Sequence, residues 1–336
     1  MRKMILIICL LVCTVLLTAC TDTKKDTETV AEEDKNTKKT NIKEQTGYTV
    51  SVPAEYKQPA SHTGTVTRVD YESKDYVRDE SPVTRTAWVY TPYGYDENDE
   101  NTRYNIIYLM HGWGGHAGEY FEYTPTKNMF DHLIENGDIP PVIIVSVTFY
   151  NPFSNTDFSS SIAEFRQFHH DFEENLMPAI EGRFHTYAKS VSDEDLKASR
   201  DHRAFGGFSL GSVTTWLQFC HDTDYIRYFL PMSGSCWYYG TYGDFQIEKN
   251  VDLIEQIVKE KDLDERGYFI YHAVGTQDTV KSQSIDMADE MLSRSDVFNP
   301  EHYVFFLKQG GLHDFDAVQE YLYNALPLFF RNNIDQ

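Results

Sequence analysis

Residues 203–211 read Arg203-Ala204-Phe205-Gly206-Gly207-Phe208-Ser209-Leu210-Gly211. Arg203–Phe208 is a short β-type run, and Gly207-Phe208-Ser209-Leu210-Gly211 is a G-x-S-x-G motif that opens a helical stretch reaching Cys220. A sharp turn from strand to helix brings backbone atoms together, so it needs the smallest residues on either side of the serine. Such a turn exposes the serine Oγ. The helix N-terminus behind it supplies a positive dipole for a developing oxyanion.

Outward from this motif, β-rich runs alternate with helical ones. Thr84–Pro92, Tyr104–Leu109, Val142–Val147, Tyr228–Met232, Tyr268–Val274 and His302–Leu307 read as further strands, several nearly continuous in apolar residues. Runs of that kind belong to strands covered on both faces. Ile162–Phe184, Val251–Lys261, Ser284–Leu292 and Phe315–Phe330 read as helices. The alternation predicts an α/β three-layer sandwich around a mostly parallel sheet. Chemistry then belongs at the carboxyl ends of the strands.

A serine hydroxyl is a weak nucleophile and requires a base, which in turn requires an orienting acid. Of twelve histidines, only His313 combines a late strand end with flanking glycines, in Gly310-Gly311-Leu312-His313-Asp314. Asp278 follows the preceding strand in Gly275-Thr276-Gln277-Asp278, with Asp286 and Asp314 as nearby competitors. Asp314 adjoins His313 and is poorly placed to reach its Nδ1, and Asp286 falls on a helix. Ser209, Asp278 and His313 run in the order of the α/β-hydrolase fold. His111-Gly112-Trp113-Gly114-Gly115 follows the strand Tyr104–Leu109 and looks like the loop that lends a backbone N–H to the oxyanion hole of such hydrolases. Trp113 and Leu210 are the expected pair of N–H donors.

The N-terminus reads as an address. Arg2 and Lys3 precede an apolar run thirteen residues long, Ile5 to Leu17, too short to span a bilayer but suited to a signal peptide. Leu17-Thr18-Ala19-Cys20 resembles a bacterial lipobox, so residues 1–19 are expected to be removed and Cys20 lipidated. From Thr21 to Gly47 the chain has seven acidic residues, six lysines and almost no aliphatics. It cannot bury enough apolar area to offset its ordering entropy, so residues 20–47 read as a tether. Residues 48–336 read as one domain. Placement is therefore expected on the outer face of a bacterial membrane, with bilayer contact through the Cys20 anchor only.

Net charge is −22, which repels phosphate backbones and argues against nucleic acid as a partner. Beyond the signal and anchor only Cys220 and Cys236 remain of five cysteines; a bridge and two free thiols are both open. Without a CxxC pair or an EF-hand spacing, neither a structural zinc site nor a calcium site is expected. His169-His170 read as a solvated or half-buried pair. Asp96–Glu100 and Asp193–Asp195 read as solvated acidic loops.

Together these residues resemble carbohydrate esterase family one, and in particular the feruloyl esterase domains attached to clostridial xylanases. The likeness is carried by Tyr108-Leu109-Met110-His111-Gly112, Pro141–Val145, Phe165-Arg166, Pro178, Tyr187, Gly206–Gly211, Pro231-Met232-Ser233-Gly234 and Tyr323–Pro327, and runs from Gly64 to Phe330. It implies hydrolysis of ferulate or acetate esters on plant xylan without a cofactor, with Ser209 as nucleophile, His313 as base and Asp278 as acid. Family members often have glycine where Ser212 stands, and glycine or an aliphatic residue where Trp113 stands. No xylanase or carbohydrate-binding module is read in the chain, so partner enzymes are expected to be separate proteins and this one a monomer.

Ser235-Cys236-Trp237-Tyr238-Tyr239-Gly240-Thr241-Tyr242 places an aromatic loop after the strand ending at Met232. Ring faces there suit a phenolic acyl group or a sugar. Trp237, Tyr238 and His111 are the candidate substrate-binding residues. The competing readings are an acetylxylan esterase, another small-ester esterase, an acyltransferase resembling the mycolyl transferases, and an inactive carbohydrate-binding lipoprotein.

Overall fold

The computed structural model describes residues Ser51–Arg331. The signal, lipidation and tether segments read from the sequence lie outside the described residues. Eight strands form one sheet in the order β1-β2-β4-β3-β5-β6-β7-β8. They are β1 (Thr65–Lys74), β2 (Pro82–Thr91), β3 (Asn105–Met110), β4 (Val142–Val147), β5 (Arg203–Phe208), β6 (Tyr228–Met232), β7 (Phe269–Gly275) and β8 (Tyr303–Lys308). β1 and β2 run antiparallel to their neighbours, and every pairing from β4 to β8 is parallel.

β3, β4, β5 and β6 are buried at every position. Side chains alternate between the faces of a strand, so each of these strands feeds two cores. On β3, Ile106, Tyr108 and Met110 enter one core while Ile107 and Leu109 enter the other. The first core is covered by Phe158–Asp171, Leu210–Asp222, Ile247–Glu260 and Lys281–Leu292, through Phe165, Trp216, Ile254 and Met287 among others. The second is covered by Thr124–Glu135 and Phe315–Ala325, through Phe130, Leu133, Val318 and Leu322. This is the three-layer α/β sandwich expected from the sequence.

The foot of the central strand is pinned by charge. Arg203 and Glu181 are both buried, and the guanidinium grips the carboxylate through two bonds, Nε to Oε1 at 2.6 Å and Nη2 to Oε2 at 2.9 Å. Tyr108 and Thr186 donate to the same carboxylate. Deleting one partner of such a buried pair typically costs about 3–5 kcal/mol, because the other charge is stranded.

Several boundaries differ from the sequence reading. The helix expected from Ile162 starts at Phe158, because Asp157 caps it by accepting from Ser160 N at 3.0 Å. It runs through a π-turn, Phe172–Leu176, into Met177–Glu181. The last helix ends at Ala325 and tightens to a 3₁₀ turn where Pro327 removes a backbone donor. Asp193–Asp195, expected in a loop, form the first turn of a helix, Asp193–Ala198, capped by Ser192; acidic residues there complement the positive end of the helix dipole. β1 was not anticipated: its buried face is only Val69, Tyr71 and Ser73, alternating with exposed charged residues.

Candidate active site

Ser209 lies between β5 and the helix Leu210–Asp222 with φ 59° and ψ −116°. A β-carbon resists that left-handed φ, so the conformation persists only because its surroundings determine it. Ser209 N donates to Met232 O at 2.9 Å, and Ser209 O accepts from Ser212 N at 2.9 Å. The flanking glycines are sterically required. A Cβ on Gly207 would lie 2.4 Å from Gly211 O, and one on Gly211 would lie 2.3 Å from Met110 O.

Ser209 Oγ is 2.9 Å from His313 Nε2. His313 Nδ1 is 3.0 Å from both carboxylate oxygens of Asp278. A carboxylate facing Nδ1 holds the proton on that nitrogen and leaves Nε2 to accept from the serine hydroxyl. Asp278 is buried, with Val280 N donating to its Oδ1 at 2.8 Å. Burial alone pushes its carboxyl up. The bond from His313, the Val280 N–H, the imidazole charge and the Ser233 hydroxyl outweigh burial and hold it below its ordinary value. The competitors are placed elsewhere: Asp314 caps the last helix by accepting from Ala317 N at 2.9 Å, and Asp286 is exposed on Lys281–Leu292.

The loop after β3 packs directly on the serine, and a Cβ on Gly112 would stand 3.1 Å from Ser209 Cβ. Leu210 occupies the first position of its helix, where an N–H has no intrahelical acceptor. Trp113 and Leu210 both line the cavity that holds the Ser209 hydroxyl. The Trp113 side chain is 57% exposed and donates from Nε1 to Thr156 O at 2.8 Å.

His111 does not face the site, contrary to its candidacy as a substrate-binding residue. It is fully buried, with Nδ1 donating to Gly112 O and Nε2 accepting from Thr148 Oγ1, both at 2.7 Å. Burial lowers its pKa to about 4, so it is a neutral strut that sets the shape of the loop.

A cavity of about 460 Å³ opens onto Ser209 and His313, lined by Trp113, Phe158, Val213, Trp237, Tyr242 and Gln283. Trp237, a candidate substrate-binding residue from the sequence, lines this cavity, with Nε1 donating to Gln283 Oε1 at 2.9 Å and to Ser235 Oγ at 3.2 Å. Tyr238 is a correction: its ring is tilted against His221 and edge to face with Tyr239, and it does not line the cavity. Phe158 and Tyr242, edge to face at 5.8 Å, take the place expected for it. The loop that carries Trp237 is held from below. Arg166 donates to Trp237 O and Gly240 O, and the buried Asn250 amide donates to Cys236 O, Tyr239 O and Phe245 O. Phe158, 51 residues ahead of the serine, gave no sign in its own neighbourhood that it would meet the loop.

Cys220 and Cys236 are free thiols, which settles the alternative left open by their spacing. His169 is stacked on His221 at 3.9 Å, nearly parallel. Rings stacked face to face do not converge their nitrogen lone pairs on one point, and among the described residues no metal-binding cluster is present.

The Esterase family model matches residues 81–329. Endo-1,4-beta-xylanase Y of Acetivibrio thermocellus is 31% identical over 284 residues, 83% of this chain. An endo-1,4-beta-xylanase/feruloyl esterase of Xylanibacter ruminicola is 30% identical over 161 residues, 47% of this chain. The chain spans 24% and 20% of the lengths of these two proteins. A solved structure of a mutant feruloyl esterase module from Clostridium thermocellum, complexed with sinapinate, is 30% identical and superposes with a TM-score of 0.71, covering 84% of this chain and 93% of that one. The chain belongs to the Esterase family and is a carboxylic ester hydrolase of the α/β-hydrolase fold.

Proposed function

We propose that this protein hydrolyses feruloyl and related hydroxycinnamoyl esters of plant xylan or its oligosaccharides through an acyl-enzyme on Ser209. The observation that carries the reading is the aromatic cavity that opens onto the Ser209–His313 pair. In this reading His313 takes the Ser209 proton as Oγ attacks the ester carbonyl. Asp278 stabilises the imidazolium, and the N–H groups of Trp113 and Leu210 receive the oxyanion. His313 then protonates the departing sugar oxygen, which leaves as a hydroxyl, and activates water against the acyl-enzyme. The relatives named as feruloyl esterases support the choice of acyl group.

A cavity walled by Trp237, Phe158 and Tyr242 favours a ring over a methyl group. A buried aromatic removes roughly 150 Å² or more from water, worth a few kcal/mol at about 25 cal/mol per Å². The test compares methyl ferulate with a small acetyl ester. Methyl ferulate should have the higher kcat/KM, and Trp237→Ala should erase that preference while acetyl turnover falls far less. An enzyme that prefers acetyl esters would instead be an acetyl esterase.

We further propose that the chain is exported and anchored through a lipid on Cys20, on the outer face of a bacterial membrane. The basic, apolar and Leu17-Thr18-Ala19-Cys20 segments support this, followed by the charged tether. The domain acts as a monomer in this reading.

A further inference from the structure

Gln283 belongs to the cavity wall, yet nothing in the chemistry described so far uses it. It lies on Lys281–Leu292, is 3% exposed, and shows what surface it has to the cavity. Its Oε1 accepts from Trp237 Nε1 at 2.9 Å and from Ser235 Oγ at 2.8 Å. An indole N–H can only donate, so the oxygen of the amide must face Trp237 and the orientation of the group is settled. The NH₂ end is what remains. It makes no hydrogen bond to the described residues, and it is not among the polar atoms sealed from solvent without a partner. A donor is thus presented to a mostly apolar cavity by an amide whose other end is locked.

We propose that the Gln283 amide nitrogen is a specificity group that donates to an oxygen substituent on the ring of the acyl chain. The inference rests on the hydroxycinnamoyl reading above. Such a donor favours ligands that bring an acceptor and penalises those that displace its water without replacing the bond. Ferulate carries a hydroxyl and a methoxy oxygen on the ring, whereas cinnamate carries neither. A site built to bond a ring oxygen rejects the analogue that lacks it.

The experiment measures kcat/KM for methyl ferulate and methyl cinnamate, with 4-nitrophenyl acetate and a thermal melt as checks on folding. Gln283→Glu is the informative variant, because it keeps the acceptor for Trp237 and Ser235 and replaces only the NH₂ donor. Gln283→Met removes both roles. The ferulate-to-cinnamate ratio should exceed one in the native protein and fall about tenfold in Gln283→Glu, the scale of one hydrogen bond. Gln283→Met should lower the same ratio. A ratio unchanged in Gln283→Glu overturns the assignment while leaving the hydroxycinnamoyl reading intact, provided Trp237→Ala still erases the preference over acetate. A native enzyme that turns over neither cinnamate ester but hydrolyses the acetate overturns that reading, and the inference with it.

Discussion

Gly275 and Gly311 are packed so closely that a Cβ on Gly275 would lie 2.1 Å from the carbonyl oxygen of Gly311. They terminate β7 and follow β8, the strands that deliver Asp278 and His313. Around them Thr276 N donates to Lys308 O, Gln277 N to Gly311 O and Gly310 N to Thr276 Oγ1, so the two loops are laced into one unit. The acid and the base, 35 residues apart in the chain, owe their 3.0 Å contact to this seam.

Gly275→Ala should therefore push the seam apart and misplace His313 against Ser209. A displacement on the order of 1 Å costs about 10²-fold in rate, so kcat should fall by about that factor in a protein that still folds, as judged by circular dichroism. Unaltered turnover would show that the seam tolerates a methyl group and does not set the register.

The two neighbouring carboxylates should separate cleanly by substitution. Asp278→Asn should lower kcat by about 10⁴-fold, since the asparagine leaves the imidazole in the wrong tautomer. Asp314→Asn should leave most activity, because asparagine also caps a helix, and Asp314→Ala should cost about 1 kcal/mol of stability. Steady-state kinetics and chemical denaturation of the three variants decide the matter. Greater kinetic damage from Asp314→Asn would exchange the roles.

Stability should respond to acid in a defined window. Burial lowers the pKa of His111 to about 4 and of His272 to about 3, from an ordinary 6.5. Between those values the unfolded chain binds protons that the folded one refuses, so stability rises with pH there. The contribution of these histidines to the melting temperature should be flat above about 6.5 and fall steadily toward pH 4. Asp278, held below its ordinary 3.8, adds a second loss only at lower pH, as the pH drops through its folded value. His272→Gln should flatten the slope between pH 6.5 and 4 even if it lowers the melting temperature overall. An unchanged slope would mean that His272 is not among the groups responsible.

Anchoring should depend on Cys20. Cys20→Ser should release the protein from the membrane fraction, whereas the native protein should partition into detergent with its N-terminus blocked at Cys20. A mature chain that still begins at Met1 would end the proposal.

Much of the site was legible because its chemistry demands particular residues at particular strand ends. Ser209 shows itself through the glycines that the turn requires, and His313 through the glycine-flanked loop after the last strand. Asp278 could be preferred over Asp314 because a residue next to the base cannot curl back to its ring. Side-chain direction was not legible. Trp237 and Tyr238 are adjacent and equally aromatic, yet only Trp237 meets the cavity, because Arg166 from a remote helix and Asn250 from the helix that follows fix the loop. His111 sits inside a motif that borders the site, and only its burial shows that it supports the loop from behind. β1 was hidden for a related reason: an edge strand half in solvent carries charged residues on one face, which blur its apolar alternation.

The central claim is a covalent acyl-enzyme on Ser209, and the most direct measurement is to trap it. Methyl ferulate should be mixed with the enzyme, quenched in acid within the first turnover, and the digest read by mass spectrometry. The account predicts one feruloyl group on the peptide carrying Ser209, formed and lost at rates compatible with kcat, and neither adduct nor turnover in Ser209→Ala. Turnover of methyl ferulate that survives in Ser209→Ala, or a feruloyl group on a different residue, would contradict it.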